Sequence, residues 1–322
     1  MDRQEWCAKL FHRHFLHTSG RGDPIPKETV EGRKYFSEDL AKKESEEKEK
    51  PSDFKPEVYI DKHFFKKVKT PYQHPCKSIG MISGETSYGI VFGSGALIAG
   101  DLVLTCAHNC FYKHYEDNIF ISQEEVQNLK FYPSPFGKIE KIVGVKRAHY
   151  PEDYAETSKD KHNRYDFAVL ELAEDLSHYG CFGVDSSPNN YRPEKQKLIL
   201  AGYPKGKQVM KDTRDASTWS VAMQWDHNED QEMETLMEEE FLKYKILAAK
   251  GNSGSPVFKE ENGEIYIVGV HIGGSEAEQY NHAVRLTARV RAIINSWVGR
   301  KGSLFLGKSV LTKAARHWKT ET

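Results

Sequence analysis

The chain has 322 residues, 38% of them hydrophobic and 29% charged, an ordinary composition for a globular protein with a substantial buried core. Its 46 Lys and Arg against 47 Asp and Glu leave a formal net charge of -1, which argues against bulk attraction to nucleic acid or to an anionic membrane. No apolar run approaches the roughly 20 residues that a membrane-spanning helix needs, so no membrane span is expected.

The opening MDRQEWCAKLFHRHFLH breaks its few apolar residues with charges and histidines. It lacks the uninterrupted apolar stretch, about 7–15 residues long, of a secretory signal. Asp2 and Glu5 count against a mitochondrial targeting segment. The five cysteines, Cys7, Cys76, Cys106, Cys110 and Cys181, are odd in number and widely spread, unlike a disulfide framework. Together these features favour an intracellular location, with secretion as the alternative. Residues 1–65 form an extension that contains the charge run SEDLAKKESEEKEKPSDFK, and read equally as a propeptide, an anchor to a partner or a disordered leader.

Beyond it the texture changes to short apolar runs separated by Gly, Pro, Asn and Asp. IGMISG, SYGIVFGSGALIAG, LVLTCAH, KIVGVKRAHY and DFAVLEL have the length and composition of strands. KLILAGYP, STWSVAMQW, LKYKILAA, GSPVFK, IYIVGVHIG and HAVRLT continue the series. Many short strands with turn signals between them predict an antiparallel all-β sandwich or barrel. The acidic segment 228–240 reads as a surface insertion, and LTARVRAIINSWV, over 286–298, has the apolar spacing of a closing helix. A basic tail follows over 299–322.

Three segments carry chemistry. LTCAHNC places His108 after a strand, NRYDFAVLEL places Asp166 before one, and KGNSGSPVF places Ser253 in a glycine-flanked turn. A serine hydroxyl is a poor nucleophile at neutral pH and needs a base within hydrogen-bonding reach. Histidine has a suitable pKa, and a buried carboxylate fixes its tautomer. The glycine-rich turn lets backbone N–H groups converge on a developing oxyanion, and those of Gly251 and Ser253 are the expected donors. Each segment alone has a bland reading: a surface histidine, a strand-opening aspartate, a common Gly-Ser turn. The order and flanks of all three together do not.

LTCAHN, YDFAVLEL and GNSGSPVF resemble the three signature blocks of the trypsin-like serine peptidases, and more closely those of the V8, glutamyl-endopeptidase branch. GSGALI, AGYP, HIGG and NHAVRLT fall in that family's usual order. The resemblance implies a chymotrypsin-like fold over 66–298: two six-stranded β-barrels with a cleft between them and a C-terminal helix. It implies a serine endopeptidase in which His108 is the base, Asp166 its orienter and Ser253 the nucleophile. Protein or peptide substrates would follow, with partner docking through 1–65 or 299–322 open. Asn252 stands where trypsin has the aspartate that pairs with a freed N-terminus, so activation of that type is not expected. Cys110 falls near a half-cystine of the animal enzymes, but its partner region reads FGSG, which predicts a free, buried thiol.

For the S1 pocket, His271 in GVHIGG matches a histidine that helps recognise an acidic side chain, with Gly273 in the same segment. That implies cleavage after Glu. Ala248 stands where the branch tends to place a threonine, so one donor to a carboxylate is missing, and Lys250 at the pocket mouth reads either as its compensation or as a solvated lysine. No HExxH pair, P-loop or dinucleotide-binding glycine pattern occurs, so neither a metal nor another cofactor is expected. His12, His14 and His17 lie close together and read as solvated histidines, with a metal trap as the alternative. The alternative function is a catalytically silent protease-like domain that serves as a structural or interaction module.

Overall fold

The computed structural model describes residues 66–67, 74–116, 119–135, 140–156, 164–184, 198–204, 224–227, 236–237, 240–261, 264–275 and 279–298. The 1–65 extension with its histidines and Cys7, the 299–322 tail, and the 228–240 segment apart from 236–237 and Glu240 lie outside them.

The first half carries β1 (Lys66–Lys67), β2 (Ile79–Thr86), β3 (Gly89–Ala99), β4 (Leu102–Thr105), β5 (Phe111–Glu116), β6 (Ile119–Glu125), β7 (Gln127–Pro133) and β8 (Val143–His149). A short helix, α1 (Glu152–Glu156), and β9 (Ala168–Leu172) complete it. Six of these strands close into a barrel in the order β2-β3-β4-β9-β8-β7, while β5 and β6 pair as a separate hairpin. Register shifts at Ser83/Glu85, Leu97/Ala99 and Val145/Arg147 supply the local bends that closure needs.

The barrel strands alternate between two apolar destinations. In β4, Val103 joins the barrel interior with Leu97, Phe131 and Leu170, while Leu102 and Leu104 face a larger core. That larger core also holds Phe258, Ile267, Val270 and Ile294 from the second half, so it welds the two halves along a continuous apolar seam. With both faces covered, β4 is buried throughout, in keeping with the apolar run Leu102–Leu104 and with Thr105 buried at its end.

The second half adds β10 (Gly183–Val184), β11 (Ile199–Gly202), β12 (Gln224–His227), β13 (Leu236–Met237), β14 (Phe241–Tyr244), β15 (Pro256–Glu261), β16 (Glu264–Ser275) and β17 (Tyr280–Arg285). Its hydrogen bonds define a nine-stranded sheet, β1-β12-β11-β15-β16-β17-β14-β13, with β10 parallel to β16. The all-β class, the six-stranded first barrel and the closing helix are as expected from the sequence. The second half holds more strands than the resemblance implied, because β1 reaches back from before the first barrel to pair with β12, and β10 adds a parallel pairing.

The helix expected over 286–298 is α2 (Ala288–Val298). It starts at Ala288 because Thr287 caps it, its Oγ1 accepting the Val290 N–H at 3.2 Å. Val290, Ile294 and Val298 recur at four-residue spacing and bury one face in the seam. Cys76, Cys106, Cys110 and Cys181 are all buried and free, as expected for Cys110. No helix among the described residues is long and apolar enough to cross a membrane.

Candidate active site

The β4–β9 ladder sets the first pair of functional groups. Thr105 lies opposite Ala168 in this antiparallel pair, so the residues just after β4 and just before β9 meet at one end of the barrel. His108 sits there in a single 3-10 turn, and Asp166 faces it. One carboxylate oxygen, Oδ1, accepts the His108 backbone N–H at 2.9 Å, and the other, Oδ2, accepts from His108 Nδ1 at 2.7 Å. Asp166 is 2% exposed, so both bonds are shielded from solvent. A proton held on Nδ1 leaves the lone pair on Nε2.

Burial alone would lower the His108 pKa. The Asp166 carboxylate, with the Cys106 sulfur as the next contributor, outweighs it and holds the imidazolium well above the ordinary histidine range. Cys106 Sγ lies 3.4 Å from Nε2. Burial pushes this thiol up, while the neighbouring His108 pulls it the other way. The Cys106 sulfur, a His108 ring nitrogen and an Asp166 oxygen all lie within 4.8 Å of one another.

Ser253 is held from the second half. Its turn is fixed by Asn252 N–H donating to Ala249 O at 2.9 Å, Ser255 N–H to Asn252 O at 2.8 Å and Gly254 N–H to His271 O at 2.7 Å. Among the described residues, the N–H groups of Gly251 and Ser253 enter no hydrogen bond. Gly251 and Gly254 have φ of 96° and 85°, which glycine alone adopts without strain. At Gly254 a side chain is also excluded sterically, since a Cβ would lie 2.1 Å from Thr105 Oγ1 and 2.2 Å from Ser94 O.

The first barrel clamps that turn. Ser94 N–H in β3 donates to Ser253 O at 2.8 Å, and the Asn109 side-chain amide donates to the same oxygen at 3.0 Å. Ser94 Oγ donates to Gly251 O at 2.8 Å and accepts Tyr203 N–H at 2.9 Å. The residue immediately after His108 therefore grips the backbone of Ser253.

Of the residues assigned to S1, His271 is fully buried beside the Ser253 turn, with its N–H donating to Ser255 O at 3.0 Å and Tyr244 Oη 2.7 Å from its Nδ1. Ala248 is buried, Lys250 is exposed, and Gly273 (φ 139°) follows the β16 bulge at His271/Gly273. Asn252 is buried without an acidic group, as its sequence implies. Sequence reasoning passed over Ser94, Cys106, Asn109 and Tyr244. The first three stand inside the quoted motifs GSGALI and LTCAHN, so their nearness to His108 and the GSG turn was the available signal. Tyr244 had none, because it reaches His271 only through the β14–β17–β16 ladder.

Comparison with known proteins bears on the whole arrangement. The family model described as Trypsin matches residues 67–298. The glutamyl endopeptidase of Staphylococcus aureus strain MW2 is 26% identical over 216 residues, covering 65% of this chain and 55% of that protein. The glutamyl endopeptidase of strain MRSA252 is 25% identical over 214 residues, covering 65% of this chain and 50% of its own length. The chain thus spans about half the length of these relatives. Among solved structures, a Glu endopeptidase in complex with MPD superposes with a TM-score of 0.59 at 22% identity, over 74% of this chain and 99% of its own. The protease Anisep from Arthrobacter nicotinovorans gives 0.50 at 15% identity, over 68% and 94%. At such identities the two structures speak to the fold alone.

Proposed function

The chain belongs to the trypsin family, and on that premise we propose that it is a serine endopeptidase in which Ser253, His108 and Asp166 form the catalytic triad. Ser253 Oγ attacks the scissile carbonyl as its proton passes to His108 Nε2, and the same proton then goes to the leaving amine. Water, activated by the same imidazole, releases the acyl group. Asp166 holds Nδ1–H throughout and stabilises the imidazolium. The unengaged N–H groups of Gly251 and Ser253 receive the oxyanion.

The observation that carries this reading is the double engagement of His108 by one buried carboxylate, through backbone N–H and Nδ1, while Asn109 grips Ser253. We further propose Glu as the preferred P1 residue. His271 beside the nucleophile turn supports it, as does the likeness to proteins named glutamyl endopeptidase. One observation favours the silent-module alternative: Cys106 Sγ, 3.4 Å away, stands against the base nitrogen of His108.

Peptide substrates that differ only in Glu, Gln or Asp at P1 test both levels. Turnover should favour Glu over Gln by roughly tenfold or more, and Ser253→Ala should lower kcat by about 10^4–10^6-fold with the circular dichroism spectrum unchanged. Turnover that survives Ser253→Ala would overturn the triad. Equal rates on Glu and Gln would overturn the specificity alone.

A further inference from the structure

We propose that Cys106 Sγ and His108 Nε2 form a binding site for a soft divalent cation such as Zn2+, and that occupancy of this site switches the peptidase off.

Geometry comes first. A zinc ion bonds thiolate sulfur at about 2.3 Å and imidazole nitrogen at about 2.0 Å, which in a tetrahedral arrangement sets sulfur and nitrogen about 3.5 Å apart. Cys106 Sγ and His108 Nε2 are 3.4 Å apart. The pair has the separation that a shared metal requires.

Orientation is the second argument. Histidines that ligate zinc usually give their other ring N–H to a carboxylate, which fixes the tautomer and raises ligand basicity. Asp166 already does this at Nδ1, 2.7 Å away, which leaves the lone pair of the neutral ring on Nε2, 3.4 Å from Cys106 Sγ. The couple that prepares Nε2 to accept a serine proton prepares it equally to ligate a cation. The His108 side chain is 30% exposed and Cys106 is wholly buried, so the cation would enter from the imidazole side.

The binding step balances simply. The cation forms one bond to Nε2 and one to Sγ, the Cys106 S–H proton and, from the imidazolium form, the Nε2–H proton leave to solvent, Nδ1–H stays with Asp166, and water fills the remaining positions. No oxidation occurs. Because protons are released on binding, affinity rises with pH. A metal on Nε2 removes the only lone pair that can take the Ser253 proton, so the loss of turnover rests on the triad proposed above, whereas the binding itself does not.

The test is a titration of the full-length protein with Cd2+, read by the near-ultraviolet thiolate-to-metal absorption, on wild type, Cys106→Ala and His108→Ala. Outer-sphere changes at metal sites typically weaken binding 10–100-fold, so loss of a ligand should raise the dissociation constant by about 100-fold or more. His108→Ala provides the same reading where Cys106→Ala fails to fold. In parallel, labelling of wild type by a fluorophosphonate is measured with and without Zn2+. A wild-type band that both variants lose supports the site, even in a protein that the fluorophosphonate never labels, which would count against the triad instead. A band that persists in Cys106→Ala, or no band in wild type, would overturn the site. Labelling undiminished by Zn2+ in a protein that is labelled without it would overturn the switch.

Discussion

Asp166 spends both carboxylate oxygens on His108, one on its backbone and one on its ring. The backbone bond fixes where the imidazole stands, and the ring bond fixes which nitrogen is basic. The carboxylate also raises the His108 pKa against the opposing effect of burial. The sign of the consequence is definite. A raised pKa keeps His108 protonated to higher pH, and in the proposed triad only the neutral ring can accept the serine proton. The acid limb of the kcat/KM profile should therefore have its midpoint above the ordinary histidine value of about 6.5. Asp166→Asn should move that midpoint down and lower kcat by about 10^4-fold. A midpoint unmoved by Asp166→Asn would show that another group sets it. At this scale the sequence offered a distinctive local pattern at Ser253, which stands between Gly251 and Gly254. It was silent on Tyr244, whose link to His271 exists only once three strands have paired.

At the scale of elements, the strands read most easily from sequence were those buried on both faces. β4 and β9 draw on LVLT and AVLEL because the barrel interior covers one side and the seam the other. β5 and β6 escaped notice because their hairpin stands largely in solvent, with alternating exposure along β6 and Ile119 65% exposed. Their polar positions dilute the apolar signal on which strand recognition depends. α2 was legible from its periodicity, but its start depended on the Thr287 hydroxyl, a local cap that periodicity does not register. The helix contributes through a narrow apolar stripe, and Ile294 at its centre is 0% exposed. Ile294→Ala should cost about 2–5 kcal/mol of stability in chemical denaturation, through lost burial and the cavity left in the seam. A loss below about 1 kcal/mol would mean that α2 is not anchored there.

For the whole molecule, the proposed site depends on the meeting of two halves. The first barrel contributes His108, Asp166 and the clamp of Ser94 and Asn109, and the second half contributes the Ser253 turn and His271. Sequence pattern could name these residues in order, but the seam that aligns them is a property of long-range packing between β4, β9, β15, β16 and α2. The clamp has a steric side as well, since Gly254 must lie against Thr105 and the Ser94 carbonyl with no Cβ between them. The count of strands in the second half was similarly beyond pattern reading, because β1 joins that sheet from the far end of the domain. The central claim is that this meeting of halves yields an activated Ser253. The most direct measurement treats the purified full-length protein with a fluorophosphonate and maps the modified residue by mass spectrometry. The account predicts modification at Ser253 that is lost in His108→Ala. Absence of modification at Ser253 in the folded, metal-free protein, or equal modification in His108→Ala, would contradict it.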